Sequence, residues 1–440
     1  MRWKRTEYSG WGRVLKATGD LARPERAGTL RAILRERASL AIGNRRSYGD
    51  APLNDGDGAI DMTRLDRLIS FDENSGILRA EAGIRIGEIL RLFAPRGWLP
   101  AVLPGTGFAT LGGCIGNDVH GKNHHRAGSF GQHVTKIELL GANGRLRRIT
   151  PEANADLFRA TVGGLGQTGV ILAASIRLMR CASEIMGVRE TRIDSLTEFL
   201  AMLDSSTATF SVGWIDATAR NEALGRGILE EAEIGGAGEP IAEGRSRKVP
   251  FDAPRFLLSP PVVRAFNHFY LRRIPAEGRQ VSRSMAEFFF PLDRIHDWNR
   301  LYGKPGFHQF QCVLPARAAP AALEQMLALI AKSKLASPLA VLKRLGEGRG
   351  GMMSFPMEGY TLAVDFPNQR RVASLIAELQ QITLQSQGRL YLAKDSLATR
   401  EMVAPMYDEW SAFSRIANGV DPDGRFTSDI VRRLNLRGAP

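Results

Sequence analysis

The sequence of 440 residues contains few cysteines and no long apolar run. Its three cysteines, Cys114, Cys181 and Cys312, are odd in number and far apart, which argues against a disulfide framework and a zinc site of paired thiolates. No apolar run approaches the roughly 18 residues that a membrane-spanning helix requires. The N-terminal segment MRWKRTEYSGWGRV lacks the apolar stretch of an export signal. We therefore expect a protein of a reducing compartment that is neither exported nor membrane-spanning.

Acidic residues are also scarce relative to basic ones. The chain has 46 Asp and Glu against 59 Lys and Arg, a formal net charge of +13. Such an excess indicates an anionic partner but not a fold, and nucleic acid, an anionic bilayer and a phosphorylated substrate all qualify. A hydrophobic content of 44% and a charged content of 24% are typical of a globular protein of roughly two or three domains.

The most basic region runs from Glu243 to Arg283 and is interleaved with aromatic residues. Among its basic and aromatic members are Arg245, Arg247, Lys248, Phe266, Phe269, Tyr270, Arg272, Arg273, Arg279 and Arg283. The region has no clean amphipathic period. Two interpretations stay open, namely a surface for lipid headgroups and a solvated loop with scattered charges.

Alternating apolar runs and turn residues predict an α+β protein. Residues 38–180 contain predicted strands at Ser39 to Gly43, Ala59 to Met62, Ile77 to Ala82, Lys136 to Leu140 and Gly169 to Leu178, and a helix at Glu88 to Pro95. From residue 181 a second unit begins, with predicted strands at Phe210 to Ile215, Glu287 to Phe290, Gln309 to Leu314 and Thr361 to Phe366, and helices at Ala321 to Ser333 and Arg371 to Gln387. The second unit is therefore expected to be a sheet backed by helices.

Two glycine-rich segments are typical of loops that bind a phosphate-bearing cofactor. Glycines allow backbone N–H groups to approach an anion closely, and hydroxyl side chains add donors. The first segment is Gly43-Asn-Arg-Arg-Ser-Tyr-Gly-Asp50, for which an ordinary surface turn is the alternative, and the second runs from Leu103 to His125. A Rossmann fingerprint at Gly164, Gly166 and Gly169 fails on context, because a helical stretch precedes it and a strand follows.

Titratable residues follow the second glycine segment and recur near the C-terminus. His120, His124 and His125 could ligate a metal, but the surrounding glycines disfavour a helix and Asp118 is the one acidic residue nearby. We favour a site-lining role for His120 and structural roles for the other two. Lys394 lies in a strand-like apolar setting, where it is either a base with a lowered pKa or a partner in a salt bridge.

These motifs together resemble a known family. GNRRSYGD, LPGTGFATLGGCIGNDVHGKNHHRAGSFG and YLAKDS, in this order and spacing, resemble the FAD-dependent oxidases of the vanillyl-alcohol-oxidase fold, and within them the members that oxidise a polyprenyl-phosphoryl-ribose. The resemblance implies a two-domain α+β fold whose substrate domain is an antiparallel sheet backed by helices. It implies an FAD domain over residues 1–180, a substrate domain over 181–387 and a C-terminal segment, 388–440, that returns to the FAD domain and the active site.

The resemblance also implies the residues that bind the cofactor. The pyrophosphate would be bound by Gly43, Asn44, Arg45, Arg46, Ser47, Tyr48, Gly49, Asp50, Gly105, Thr106, Thr110, Gly112 and Gly113, and the flavin would contact Asn117, Val119, His120, Ile171 and Tyr391. Some members attach the flavin through a histidine in the first loop. Residues Gly43 to Asp50 contain none, which implies non-covalent FAD. From the surroundings of the three histidines, we expect no metal.

The implied reaction oxidises the 2-hydroxyl of the ribose to a 2-keto sugar, the first half of an epimerisation. Lys394 would be the base, flanked by His120 and Tyr48, and Gln309, Gln311 and Lys343 would face the substrate, although a surface charge remains the alternative for Lys343. Where family members carry a cysteine this chain has Ala363, and Thr361 replaces an asparagine, so the pocket is altered. An oxidase of a soluble sugar, alditol or aldonolactone is the alternative, although the His-Trp-x-Lys signature of the lactone enzymes is absent.

The same resemblance implies partners and a location. We expect a separate NAD(P)H-dependent short-chain reductase, a polyprenyl-phosphoryl sugar substrate, and attachment from the cytoplasm to the anionic surface of the inner membrane. A basic nucleic-acid-binding module would explain the sequence pI of 10.0 but none of the ordered motifs.

The missing histidine generates a prediction about the cofactor. The purified protein should be yellow and should release FAD when denatured by acid, because the first glycine loop offers no ring nitrogen for a covalent bond. Denaturing electrophoresis with fluorescence detection is the measurement. Flavin that migrates with the polypeptide would contradict the prediction.

Overall fold

The computed structural model describes residues 3–235 and 246–438. Its N-terminal part, up to Arg180, contains two sheets. A four-stranded sheet has the order β1-β2-β4-β3, and a six-stranded sheet has the order β5-β6-β10-β8-β9, with β7 also paired to β10. The strands are β1 (Lys4–Ser9), β2 (Lys16–Ala22), β3 (Leu40–Ile42), β4 (Gly58–Asp61), β5 (Leu68–Asp72), β6 (Ile77–Glu81), β7 (Trp98–Pro100), β8 (Val134–Leu140), β9 (Leu146–Ile149) and β10 (Val170–Arg180).

Five helices accompany these sheets: α1 (Ala27–Glu36), α2 (Ile86–Phe93), α3 (Leu111–Gly116), α4 (His124–Ala127) and α5 (Ala155–Thr161). Helix α2 places Ile86, Ile89, Leu90 and Phe93 in the core, at the spacing of one helical face. Helix α3 begins at Thr110, whose hydroxyl accepts a hydrogen bond from the Gly113 N–H group. The two glycine-rich segments therefore connect regular elements on both sides.

The second part is built on an eight-stranded antiparallel sheet in the order β15-β11-β13-β12-β18-β19-β17-β20. Two further short strands, β14 and β16, pair with each other in parallel. The strands are β11 (Ile185–Ile193), β12 (Phe210–Ile215), β13 (Gly227–Ile234), β14 (Arg247–Lys248), β15 (Arg279–Ser284), β16 (Ile295–His296), β17 (Phe307–Leu314), β18 (Ala340–Leu345), β19 (Gly359–Pro367) and β20 (Arg389–Leu390). The helices are α6 (Leu196–Ser205), α7 (Pro260–Arg272), α8 (Met285–Phe289), α9 (Ala319–Ser333), α10 (Val372–Gln385), α11 (Arg400–Val403), α12 (Trp410–Val420) and α13 (Asp429–Leu434).

The two-residue period of three adjacent strands divides this sheet into an apolar and a polar face. Phe310, Cys312 and Leu314 of β17 face the core formed with α6, α9 and α10, as do Leu362, Val364 and Phe366 of β19 and Ala340 and Leu342 of β18. The intervening positions are Gln309 and Gln311 on β17, Lys343 on β18, and Thr361, Ala363 and Asp365 on β19. Because successive side chains point to opposite faces, these polar positions share the other face of the sheet.

Most predicted elements are present, but two local predictions are wrong. Residues Glu287 to Phe290 form part of helix α8 and its end, not a strand, because the Ser284 hydroxyl caps the Glu287 N–H group and nucleates a helical turn. Strand β20 ends at Leu390, and Lys394 lies in the turn after it, where its N–H group donates to the Tyr391 carbonyl. Lys394 is therefore not strand-like. Helix α5 before Gly164 and strand β10 after Gly169 agree with the rejection of a Rossmann fingerprint.

The C-terminal segment contacts both parts of the chain. Strand β20 pairs with β17 in the large sheet, and the N–H group of Asp429 donates to the carbonyl of Leu53 in the N-terminal part. Arg433 forms ion pairs with Asp50, at 2.7 Å, and with Asp395, at 2.9 Å. The proposed domain limits at residues 180 and 387 stay a prediction.

The ion pairs of Arg433 generate a prediction about stability. Both carboxylates are almost fully buried, with exposed fractions of 4% for Asp50 and 7% for Asp395. Arg433→Met should lower the free energy of unfolding by about 3 kcal/mol or more, since it leaves buried charges without a partner. Urea denaturation measures the loss. Lys16→Met breaks an exposed pair with Glu7 and should cost less than about 1 kcal/mol; equal losses in the two variants would contradict the prediction.

Candidate active site

A cavity of about 900 Å³ is lined by both glycine-rich loops of the N-terminal part, by the polar face of the large sheet and by the turn that holds Lys394. This volume lies at the upper end of the usual range for small-molecule sites. Nearly all of the site residues expected from the sequence line this cavity. The lining residues among them are Gly43, Asn44, Arg45, Arg46, Ser47, Tyr48, Gly105, Thr106, Thr110, Gly112, Gly113, Asn117, Val119, His120, Ile171, Gln309, Gln311, Lys343, Ala363, Tyr391 and Lys394.

The first glycine loop presents unpaired backbone donors to this cavity. No described residue accepts a hydrogen bond from the backbone N–H groups of residues 44–47, and Arg45 has a positive φ of 50°. The N–H group of Tyr48 donates to the carbonyl of Ala393, which fixes the loop against the Lys394 turn. Arg46 stacks between Trp11 and Phe108, with its guanidinium carbon 4.0 and 4.5 Å from the ring centroids. Unpaired N–H groups and a nearby guanidinium suit a pyrophosphate.

The second loop lies against the first. A Cβ on Gly43 would approach the Thr110 Oγ1 to 2.3 Å, so this contact requires glycine. Thr110 keeps its hydroxyl hydrogen for a ligand, because its oxygen is the acceptor for Gly113. The Thr106 hydroxyl, by contrast, donates to Asp293 at 2.7 Å, and the Gly107 N–H group donates to the same carboxylate. Thr106 is therefore not the free hydroxyl donor that we expected, and its loop is fixed to the second part of the chain.

Three expected site residues do not line the cavity. Gly49 lies against the Asp395 carbonyl, which a Cβ at this position would approach to 1.7 Å. Asp50 faces Arg433. Thr361 is buried behind Gln311, whose side-chain amide lies 3.2 Å from the Thr361 hydroxyl. These three residues position the cavity wall and do not form it.

The far end of the cavity has an apolar surface with one unpaired polar atom. Val119, Ile171 and Tyr391 line it, and the Tyr391 hydroxyl donates to the Asn117 carbonyl at 3.4 Å. The Asn117 Oδ1 atom is buried and has no hydrogen-bond partner among the described residues, and neither has the Arg46 Nε atom near the loops. Buried polar atoms in native proteins are almost always paired, so both indicate a ligand with polar groups at either end. A flavin beside Asn117 and a pyrophosphate beside Arg46 fit this arrangement.

His120 connects the loop to the polar face of the sheet. The Lys343 Nζ atom lies 3.1 Å from its Nδ1 atom, and the Gln311 amide lies 3.1 Å from its Nε2 atom. Burial lowers the pKa of His120 well below its usual value, and the positive charges of Lys343, His124 and Lys394 lower it further. The ring is therefore neutral at pH 7.

Lys394 is the second titratable group of the cavity. Its Nζ atom lies 3.4 Å from the centroid of the Tyr48 ring. Burial lowers the pKa of the Lys394 amine, and the nearby Asp365 carboxylate opposes this shift. Asp365 accepts hydrogen bonds from Gln309 at 2.5 Å and from the Tyr302 hydroxyl at 3.1 Å, and burial raises its pKa. A lysine with a lowered pKa, held over an aromatic ring, is suited to accept a proton.

Sequence reasoning missed three residues of this site. Asp365 has no motif that marks it, and only the register of β19 against β17 places it opposite Gln309. Asp118 is fully buried and accepts hydrogen bonds from Ser129, Gly131, Gly350 and Ser354, so it fixes the histidine loop to the second part of the chain. Lys122 also lines the cavity; burial lowers its pKa to about 8, and its Nζ atom donates to the Phe288 carbonyl.

The two remaining histidines of the motif contact backbone groups. The N–H group of Gly346 donates to the His124 Nδ1 atom, and the His125 Nε2 atom lies 2.9 Å from the Ala208 carbonyl. Burial lowers the pKa of His124 to about 4. In residues 3–235 and 246–438, no three His, Cys, Asp or Glu side chains are grouped to hold a metal ion.

Comparison with known proteins identifies the family. The FAD binding domain family matches residues 21–150, and the D-arabinono-1,4-lactone oxidase family matches residues 260–434. The chain is 36% identical to decaprenylphosphoryl-β-D-ribose oxidase of Mycolicibacterium smegmatis over 97% of both proteins. The chain belongs to the decaprenylphosphoryl-β-D-ribose oxidase family, among the FAD-dependent oxidases of the vanillyl-alcohol-oxidase fold. The α+β fold and the FAD cofactor expected from the sequence are thereby confirmed.

Two further relatives show how far the similarity extends. An uncharacterised protein encoded in the mprA 5′ region of Streptomyces coelicolor is 30% identical over 80% of this chain and 100% of its own length. L-gulonolactone oxidase of Mus musculus is 25% identical over 46% of this chain and 46% of its own length. The protein is an FAD-dependent oxidoreductase.

The turn that holds Lys394 generates a prediction about the chemistry. Lys394→Ala should retain FAD but slow substrate-driven flavin reduction by at least about 100-fold, because the proton acceptor is lost while the pyrophosphate loops are intact. Anaerobic stopped-flow absorbance measures the rate. Dithionite should reduce the flavin of the variant and the wild type equally, which controls for cofactor loss. Reduction at the wild-type rate would refute the role of Lys394.

Proposed function

We propose that the protein oxidises the 2-hydroxyl of a polyprenyl-phosphoryl-ribose to the 2-keto sugar, the first half of epimerisation to the corresponding arabinose donor. The observation that carries this proposal is the convergence of Lys394, His120 and Lys343 on one cavity. The relative from M. smegmatis, which is similar over nearly its whole length, is named for such a substrate.

The side chains of the wall divide the work of binding and proton transfer. Bound FAD supplies the acceptor for the hydride that leaves the alcohol carbon. Lys394 in its neutral form takes the proton of the hydroxyl, and the Tyr48 ring holds its amine in place. Neutral His120, fixed by Lys343 and Gln311, orients the sugar. Gln309 holds Asp365 beside the lysine and so tunes how readily Lys394 accepts the proton.

Two buried lysines supply positive charge for the phosphate of the substrate. Burial lowers the pKa of Lys343 to about 7, and the positive charges of Lys122 and Lys394 lower it further. Lys343 is buried in the cavity and is not the surface charge that was the alternative. An anionic phosphodiester beside these lysines would relieve the cost of their burial.

The pocket differs from that of relatives at one lining position. Ala363 lies opposite Gln311 in β17 and opposite Val341 in β18, and its side chain faces the cavity. A methyl group here leaves more room than a cysteine and offers no thiol. We therefore propose that this pocket accepts a substrate of somewhat different shape from that of the cysteine-containing relatives. An inhibitor that requires a thiol should form no covalent adduct at Ala363.

An oxidase of an aldonolactone is the second candidate. The match of residues 260–434 to the D-arabinono-1,4-lactone oxidase family favours it. A neutral lactone, however, supplies no counter-ion for Lys343, whereas Lys122 already pairs with Glu230 at 4.0 Å. The phosphate-bearing substrate therefore explains more of the cavity.

We further propose that the keto product passes to a separate NAD(P)H-dependent short-chain reductase at the cytoplasmic face of an anionic membrane. Of the helices in the described parts of the chain, none combines the length and the apolar character needed to cross a bilayer. The basic region from Glu243 to Arg283 cannot act as a whole, because Arg273, Arg279 and Arg283 form ion pairs with Glu190. Arg245 lies outside the described residues.

The substrate proposal is tested by flavin bleaching without oxygen. Polyprenyl-phosphoryl-β-D-ribose in detergent should reduce the flavin, and free ribose, alditols and aldonolactones should not, because they lack the phosphate that Lys343 binds. Lys343→Met should lower kcat/KM for the phosphate-bearing substrate by at least about tenfold. Reduction by an aldonolactone, with none by the phosphoryl sugar, would favour the second candidate.

The pH profile of the same reaction carries a signature of Lys343. This lysine is cationic below its pKa of about 7 and neutral above it, so binding of the phosphate should weaken as the pH rises through 7. We expect kcat/KM, which reports the free enzyme, to rise on the acid side as Lys394 loses its proton and to fall on the alkaline side as Lys343 loses its own. The falling limb should disappear in Lys343→Met. A limb that persists in the variant would assign the titration to another group.

A further inference from the structure

One region of the surface exposes an unusual number of large apolar side chains. Eight of the ten strongly exposed large hydrophobic residues in the described parts lie between residues 251 and 301. We call them the apolar patch: Phe251, Phe256, Leu257, Val262, Phe266, Phe269, Ile295 and Leu301. Phe269 is 73% exposed and Phe256 is 65% exposed. Soluble proteins rarely expose such a concentration of apolar side chains unless something covers it.

The members of the apolar patch are neighbours in space. The helical turn of residues 255–258 packs on helix α7 and on the turn of residues 298–302. The N–H group of Ala253 donates to the Arg300 carbonyl, and β14 pairs with β16 at Ile295. These contacts join four separate segments of the chain into one surface.

Helix α7 is apolar on two sides. Val263 and Leu271 are buried against the protein, while Val262, Phe266 and Phe269 recur at helical spacing on the outer side. The inner face already secures the helix, so the outer phenylalanines are not needed for folding. A surface helix with a second apolar face is typical of a helix that lies in a membrane interface.

Unpaired cations lie between the residues of the apolar patch along the chain. Arg255, Arg264 and Arg272 are exposed, and no carboxylate of residues 3–235 or 246–438 forms an ion pair with any of them. They contrast with Arg273 and Arg283, which form ion pairs with Glu190 and Glu230. Apolar side chains interspersed with unpaired arginines are complementary to a leaflet with an apolar interior and anionic headgroups.

The apolar patch is continuous with the lining of the active-site cavity. Ile295 belongs to the patch and also lines the cavity. Its neighbour His296 and Trp298 of the adjacent turn line the cavity as well. Helix α7 contributes Tyr270 to the cavity lining, on the turn beside the outward-facing Phe269. A ligand held by its tail in the bilayer would therefore reach the cavity from the side that the patch covers.

We propose that the apolar patch inserts into an anionic leaflet and presents the active-site cavity to the bilayer. Arg255, Arg264 and Arg272 would then lie at the headgroups. The inference rests on the proposed function in one respect only, since a lipid-borne substrate explains why the cavity should face the membrane. Attachment thus depends on apolar insertion together with charge, not on the basic region alone.

Vesicle co-sedimentation tests the insertion with the full-length holoenzyme. Phe256→Ser/Phe269→Ser should lower the partition onto vesicles of phosphatidylcholine and phosphatidylglycerol by at least about tenfold, because both rings leave the leaflet. Leu68→Ser/Ile69→Ser is the matched control, since these residues form the other exposed apolar pair, on β5, and should bind as the wild type does. Arg255→Glu/Arg264→Glu should remove the dependence on phosphatidylglycerol.

Several outcomes would overturn the inference. Wild-type partition of the Phe256→Ser/Phe269→Ser variant would do so, as would an equal loss in the control. Light scattering would do so if the patch variants changed only the oligomeric state, which would make the patch an interface between two copies of this chain. Flavin reduction by substrate in detergent separates the two proposals. If the protein binds vesicles through the patch but the substrate does not reduce its flavin, only the proposed function is refuted. If the substrate reduces the flavin but the patch substitutions do not change vesicle binding, only the insertion is refuted.

Discussion

The alternation of side chains along three neighbouring strands is the constraint on which the active site depends. In β17, β18 and β19 one set of side chains completes the core beneath helices α9 and α10, and the other set is left for the cavity. The core set fixes the register, since a shift by one residue would turn the polar side chains into the core. Gln309, Gln311 and Lys343 are thus held by the packing of the residues between them. The packing of the core-facing side of the sheet therefore determines the positions of the cavity-lining side chains.

Enclosing the polar face changes its chemistry. Lysines and histidines taken out of water lose some of their affinity for protons, and Lys343, Lys394 and His120 all have lowered pKa values for this reason. The same burial raises the pKa of the Asp365 carboxyl group, and the positive charge of Lys394 opposes this shift. The two lysines, which would be fully charged on a surface, become able to bind or release a proton near neutral pH, and their enclosure costs stability that an anionic ligand would offset.

The cavity is held closed by contacts between distant parts of the chain. Asp118 fixes the histidine loop to Gly350 and Ser354, Asp293 fixes the second glycine loop, and Arg433 joins Asp50 to Asp395. In each contact a buried or partly buried carboxylate pairs with several donors. Such a contact is costly to break, because loss of a partner leaves a buried charge unpaired.

The sequence by itself determined the local features: the glycine loops, the absence of a histidine in the first loop, the helices and strands with a clear apolar period, and the order of motifs that indicates the family. Local steric and packing preferences act over a few residues, so a pattern is sufficient to predict them. Only the tertiary structure decided that Asp365 acts electrostatically on Lys394, that Asp50 faces Arg433, and that Arg283 pairs with Glu190. It also decided that the exposed apolar residues form one patch. These relations join residues far apart in the chain, and burial and pairing, which set their charges, exist only after the chain has folded.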